Sequence, residues 1–112
     1  MAFDQGLAAR AREQVSRHPG WSEKRMLGGI AFLIGGNMAV AASGQGGVLV
    51  RVDPAESEAL SASTSARPME MRGRQMRGWL RVDADEVRAE RELAKWVELG
   101  TAYARSLPAK RG

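Results

Sequence analysis

No cysteine occurs among the 112 residues. That excludes disulfides, thiolate nucleophiles and cysteine-ligated zinc together, and it fits a reducing compartment. Histidine is nearly as scarce. His18 stands alone, so a zinc site would need three carboxylates around it, and its position at a helix end suits capping carbonyls or facing water. Aromatic residues make up 5% of the chain, which leaves Leu, Val, Ile, Met and Ala to build the core. Long apolar runs are missing as well. The stretch from Leu27 to Ala42 is interrupted by Gly28, Gly29, Gly35, Gly36 and Asn37, well short of the roughly 20 apolar residues that cross a bilayer. The opening Met1-Ala2-Phe3-Asp4-Gln5 lacks the basic stretch and apolar core of a signal peptide. A soluble, cytoplasmic protein with no membrane contact is expected.

The motifs of catalysis and phosphate binding are equally absent. No glycine is followed by lysine and a hydroxyl residue, as a P-loop requires. Gly44-x-Gly46 would need a third glycine where Leu49 stands, and it leads into a strand rather than a helix. Ser43 and the run Ser61 to Ser65 lack the setting of a nucleophile, which needs a base and an orienting group. The acids Glu56, Glu58, Asp83 and Asp85 suit helix N-termini, where the helix dipole favours negative charge. No enzyme activity, metal or cofactor is expected.

What is present is one domain's worth of chain, 44% hydrophobic and 27% charged, with seventeen Lys and Arg against thirteen acids. Phe3, Leu7, Ala11 and Val15 recur at helical spacing up to Pro19-Gly20. Strands are predicted at Arg25 to Leu27, Ile30 to Ile34, Met38 to Ala42 and Val48 to Val52, with turns at Gly35-Gly36 and Gly44 to Gly47. Asp53-Pro54-Ala55-Glu56 reads as a capped helix start, running to about Leu60 before a serine-rich loop. Two further strands, Pro68 to Met71 and Trp79 to Val82, flank an Arg-rich turn from Arg72 to Gly78. Asp83 to Glu86 then cap a last helix of roughly 20 residues. Its stripe is Val87, Leu93, Trp96, Val97, Gly100, Tyr103, Ala104 and Leu107. The class is α+β: an antiparallel β-sheet meander with N-terminal and long C-terminal helices packed on it. Residues 1–112 form a single domain, with 107–112 as a frayed tail.

One constellation stands out. Arg67, Arg72, Arg74, Arg77 and Arg81 interleave with Met69, Met71, Met76 and Trp79. Guanidinium groups on a glycine-flanked turn can grip phosphates, and an exposed Trp79 can stack on a base. Alternatively the methionines and Trp79 face the core and the arginines keep an edge hairpin soluble. Trp21 and Trp96 are assigned to core or interface.

Several short motifs occur in the order found in one family. They are Lys24-Arg25-Met26-Leu27-Gly28-Gly29 with Phe32, Gly36-Asn37-Met38, Leu49-Val50-Arg51-Val52, Ala66-Arg67-Pro68-Met69, Gly73-Arg74-Gln75-Met76-Arg77-Gly78-Trp79, and Leu93-Ala94-Lys95-Trp96-Val97 followed by Leu107-Pro108. Together they resemble the N-terminal domain of the TfoX/Sxy family, proteins linked to natural competence, over residues 1 to about 110. Leu27 departs from the pattern, where an aromatic is expected. The family's competence regulators resemble transcriptional co-activators that act with the cyclic-AMP receptor protein and carry a second, helical C-terminal domain. The present sequence is expected to hold the first domain alone. The resemblance implies no catalytic residues. It implies a regulatory interaction domain acting through a protein partner or as a homodimer. The alternatives are nucleic-acid contact through Arg72, Arg74, Arg77 and Trp79, or a small-molecule ligand in a cleft between sheet and terminal helix.

Overall fold

The computed structural model describes residues 3–26 and 28–110. Asp4 starts the first helix, α1 (Gln5–Val15), because its carboxylate accepts from the Leu7 backbone N–H at 3.0 Å, one of the donors a helix leaves unpaired at its start. Leu7, Ala8, Ala11 and Val15 form its buried face. The chain turns through Gly20, at φ 80°, into β1 (Trp21–Met26). This strand begins four residues before the predicted one and pairs with β2 (Gly29–Ile34) from Trp21↔Ile34 to Met26↔Gly29. Its residues are all exposed, so it carries no apolar alternation to announce it. Leu27, expected to end that strand and to depart from the family pattern, lies outside the described residues, as do Met1, Ala2, Arg111 and Gly112.

Gly35 and Gly36, at φ 59° and 81°, close the two-residue turn from β2 to β3 (Asn37–Ala42). Positive φ at both positions matches the twist of the flanking strands. Residues 107–110 are not loose here. The Lys110 N–H donates to Gly35 O at 2.8 Å, and the Asn37 side chain donates to Pro108 O at 2.9 Å. A side chain on Gly36 would come within 2.7 Å of Lys110 O. The expected frayed tail is docked across this turn as far as it is described.

β4 (Val48–Arg51) leads to Asp53, whose carboxylate accepts from Ala55 N–H at 2.9 Å and starts α2 (Pro54–Ser63). The helix outlasts its expected end near Leu60. Hydroxyls fold back onto helix carbonyls, Ser61 Oγ to Glu58 O and Thr64 Oγ1 to Leu60 O at 2.7 Å, so serine-rich sequence stays helical. β5 (Arg67–Met71) and β6 (Arg74–Val82) follow. The expected Arg-rich turn is confined to Arg72-Gly73, and β6 begins five residues before Trp79. The described residues form a six-stranded antiparallel sheet in the order β1-β2-β3-β4-β6-β5. The first four strands make the expected meander. α2 then carries the chain to the far edge, and β6 returns between β5 and β4.

Asp83 does not cap the last helix. Its side chain pairs with Arg67, and Ala84–Val87 form a 3-10 turn that places Val87 in the core. Arg10 of α1 holds the following bend, donating to Val87 O at 2.9 Å, to Arg88 O at 3.0 Å and to the Glu90 carboxylate at 2.8 Å. Only then does α3 (Glu90–Ser106) start, 17 residues long. It buries Leu93, Trp96, Val97, Gly100, Thr101 and Ala104.

The register sets Phe32, Val40, Val50 and Leu80 side by side on one face, with Ile30, Ala42, Val48 and Val82 one step along. Leu7, Ala11 and Val15 of α1, Leu93 and Val97 of α3 and Val87 close over them in one core cluster. Full burial of such side chains stabilises by about 1.5–3 kcal/mol each. α3 approaches the sheet so closely at Gly100 that a Cβ would lie 2.3 Å from Ala39 O. Ala39 is the extra residue of a β-bulge, since Phe32 pairs with Val40 and Leu33 with Met38.

Candidate functional site

The Arg-rich constellation folds as the β5–β6 hairpin at the edge of the sheet. Its tip is the two-residue turn Arg72-Gly73, at φ 55° and 77°. Below it Met71 faces Arg74, Glu70 faces Gln75 and Met69 faces Met76. The next pair is Pro68↔Leu80, so Arg77, Gly78 and Trp79 are skipped in the β5–β6 pairing, while Trp79 pairs with Arg51 of β4. Gly78 anchors that stretch. It adopts φ 87°, its carbonyl accepts from Val52 N–H at 2.8 Å, and a Cβ would meet Val52 O at 3.0 Å and Pro54 Cγ at 3.1 Å. The root of the hairpin is therefore packed against the start of α2. Glu70 to Arg77 are exposed throughout.

Three of the four predicted site residues come together there. Arg72, Arg74 and Arg77 line an open groove of about 340 Å³ with Met71, Gln75 and Met76. Arg77 donates to Pro54 O at 3.3 Å, whereas Arg72 and Arg74 make no ion pair or side-chain hydrogen bond among the described residues. The flanking arginines are engaged: Arg67 with Asp83 at 2.5 Å and Arg81 with Gln45 Oε1 at 2.5 Å. Trp79 lies at the root, half-buried, outside the groove. The Arg51 guanidinium sits 5.1 Å from its ring and 5.6 Å from that of Tyr103. Met71 and Met76 are exposed, at 44% and 37%, although one reading of the sequence had the methionines facing the core. Trp96 is a core residue, while Trp21 stands exposed on the opposite edge.

A second surface had no signal in the sequence. The face of the sheet opposite the core cluster carries Ala31, Ala41 and Leu49 in one cross-strand row, with Leu33 and Met38 adjoining. None of these five belongs to the core cluster. The alanines are buried between half-buried Leu33, Met38 and Leu49. Lys24 and Arg81 end the row on either side. Alternation along β2 and β4 contained this face, but residues so apolar read as core.

His18 neither caps carbonyls with its ring nor faces water. Its side chain is 15% exposed and lies between Glu98, 2.9 Å from Nε2, and Arg105, 2.5 Å from Nδ1. A guanidinium only donates, so Nδ1 accepts and Nε2–H donates to Glu98. Both ring nitrogens are thus used in joining α1's end to α3. Among the described residues no cluster of His, Cys, Asp or Glu could hold a metal ion, and no helix is long and apolar enough to cross a membrane. The larger of the two hollows described, about 440 Å³, lies between Leu7, Arg10 and Arg88, away from the expected cleft between sheet and terminal helix.

With this geometry in place, comparison with known families is decisive on one point. The model of the TfoX N-terminal domain matches residues 13–104. The chain belongs to the TfoX N-terminal domain family. The match runs from within α1 to within α3 and takes in the whole sheet, so both surfaces of this TfoX N-terminal domain fall inside it. No curated protein and no solved structure matches the chain.

Proposed function

We propose that this TfoX N-terminal domain is a non-enzymatic regulatory module of the cytoplasm that works through protein–protein contacts. The observation that carries the reading is the apolar face of Ala31, Leu33, Met38, Ala41 and Leu49 on the side of the sheet away from the core cluster. Half-buried Leu33, Met38 and Leu49 surround the buried alanines, and apolar surface with charge at its margin is what interaction sites of soluble proteins present. Lys24 at one end of the row fits a partner with an acidic group at that margin. Light scattering across a concentration series, with affinity capture from the native host, tests the reading. Wild-type protein is expected to self-associate or retain a partner, and Leu49→Asp to lose that association with its circular dichroism unchanged. A monomer at every concentration that captures nothing, or a Leu49→Asp variant that associates as the parent does, contradicts it.

A second reading, nucleic-acid contact, is favoured by the clustering of Arg72, Arg74 and Arg77 on one exposed tip. Three phosphate contacts would give a log–log salt slope of about −2 to −3, lost in the triple Arg→Ala variant.

A further inference from the structure

The hairpin groove has two chemistries, and a phosphate backbone uses only one of them. Its rim is cationic, from Arg72, Arg74 and Arg77, while Met71 and Met76 supply exposed apolar lining. Thioethers give nothing to phosphates, but they are polarisable and adaptable, and they recur where a surface must accept varied apolar side chains. The aromatic that would stack on a base is not offered, because Arg51 lies over the Trp79 ring and Trp79 does not line the groove. The basic stretch is also short, since Arg67 and Arg81 on either side are engaged by Asp83 and Gln45. An extended polyanion track would need them free.

We infer that the Arg72–Arg77 hairpin groove binds an acidic amphipathic protein segment, seating an apolar side chain between Met71 and Met76 with carboxylates on Arg72, Arg74 and Arg77. A guanidinium receives a carboxylate through two parallel hydrogen bonds, and two arginines here carry no competing partner among the described residues. The hairpin root is joined to the end of β4 and the start of α2 at Gly78, through Val52 and Pro54. The inference rests on the interaction-module reading but uses a different surface, so the two can fail separately.

Fluorescence anisotropy on the whole chain tests it. The probes are two labelled peptides of glutamate and leucine, with leucines at helical or at strand spacing, a polyglutamate of equal charge, and a single-stranded and a duplex oligonucleotide. At least one Glu–Leu peptide is expected to bind about tenfold more tightly than polyglutamate. Met71→Gln with Met76→Gln should abolish that preference while leaving the melting temperature in place, and Leu49→Asp should leave peptide binding unchanged. Arg72→Ala with Arg74→Ala should weaken both acidic probes. Equal binding of polyglutamate and both Glu–Leu peptides, or no binding by any peptide, overturns the inference. Oligonucleotides that bind more tightly than the peptides, with a slope of about −2 to −3 and no response to the methionine changes, overturn it in favour of nucleic acid. Loss of peptide binding in Leu49→Asp would place the contact on the sheet face instead.

Discussion

Arg72 holds φ 55°, the only positive φ outside glycine among the described residues. An L-residue with a long side chain is strained there by about 1–2 kcal/mol, and the first position of such a turn favours Asn, Asp or Gly. Arg72→Asn is therefore expected to raise stability by about 0.5–1 kcal/mol in denaturant unfolding, while weakening any acidic ligand of the groove. Gly100 presents the opposite case. In an exposed helix Gly→Ala gains about 1 kcal/mol, but here the new methyl would lie 2.3 Å from Ala39 O. The clash outweighs the propensity, and Gly100→Ala is expected to lower stability by about 1–3 kcal/mol. A stabilised variant would mean that α3 is not held against the bulge.

Among the elements, α1 and α3 are tied at both ends, by Arg10 on Glu90 and by His18 between Glu98 and Arg105. Removing the imidazole with His18→Ala leaves Arg105 and Glu98 on the surface and is expected to cost about 1 kcal/mol, seen as faster amide exchange at the end of α1. Helices α1 and α2 and strands β2 to β4 were legible because apolar spacing, Asp caps and paired glycines each name one local geometry. The β1 strand was legible only in part, since an edge exposed on both faces has no alternation to read. The start of α3 was misplaced because Asp83, expected to cap it, pairs with Arg67, and Arg10, some eighty positions away, holds a bend ahead of Glu90. The arginine cluster was legible as two strands about a turn, but the turn shrinks to Arg72-Gly73, and its methionines could face in or out until the register was known. The apolar face of Leu33, Met38 and Leu49 is invisible in sequence for a simpler reason: a strand apolar on both sides looks the same whether one side is covered or two.

For the molecule as a whole, two surface ion pairs contribute to the acid limb of stability. A hydrogen bond from Arg12 holds the Glu23 carboxyl below the usual range, desolvation opposing it and the charges of Arg12 and Arg25 adding to it. Arg10 and then Gln14 do the same for Glu90. A folded pKa below the unfolded one means that the unfolded chain takes up the proton first. Both carboxylates thus contribute stability above the unfolded glutamate pKa of about 4.3, and lose it as the pH falls through the lower folded value. Both pairs are solvent-screened, so the effect is modest. The melting temperature of wild type should fall more steeply below about pH 4.5 than that of a Glu23→Gln, Glu90→Gln double variant, and parallel curves would contradict the assignment.

The most direct test of the central claim is oxidative footprinting of Met38, which stands on the apolar sheet face, read by mass spectrometry. Met38, half-buried on that face, is expected to oxidise measurably in dilute purified protein, more slowly than exposed Met71, and to be protected in the assembly recovered from the native host. Equal oxidation of Met38 in the two states would contradict the account, because the face proposed to meet a protein would then be open in both.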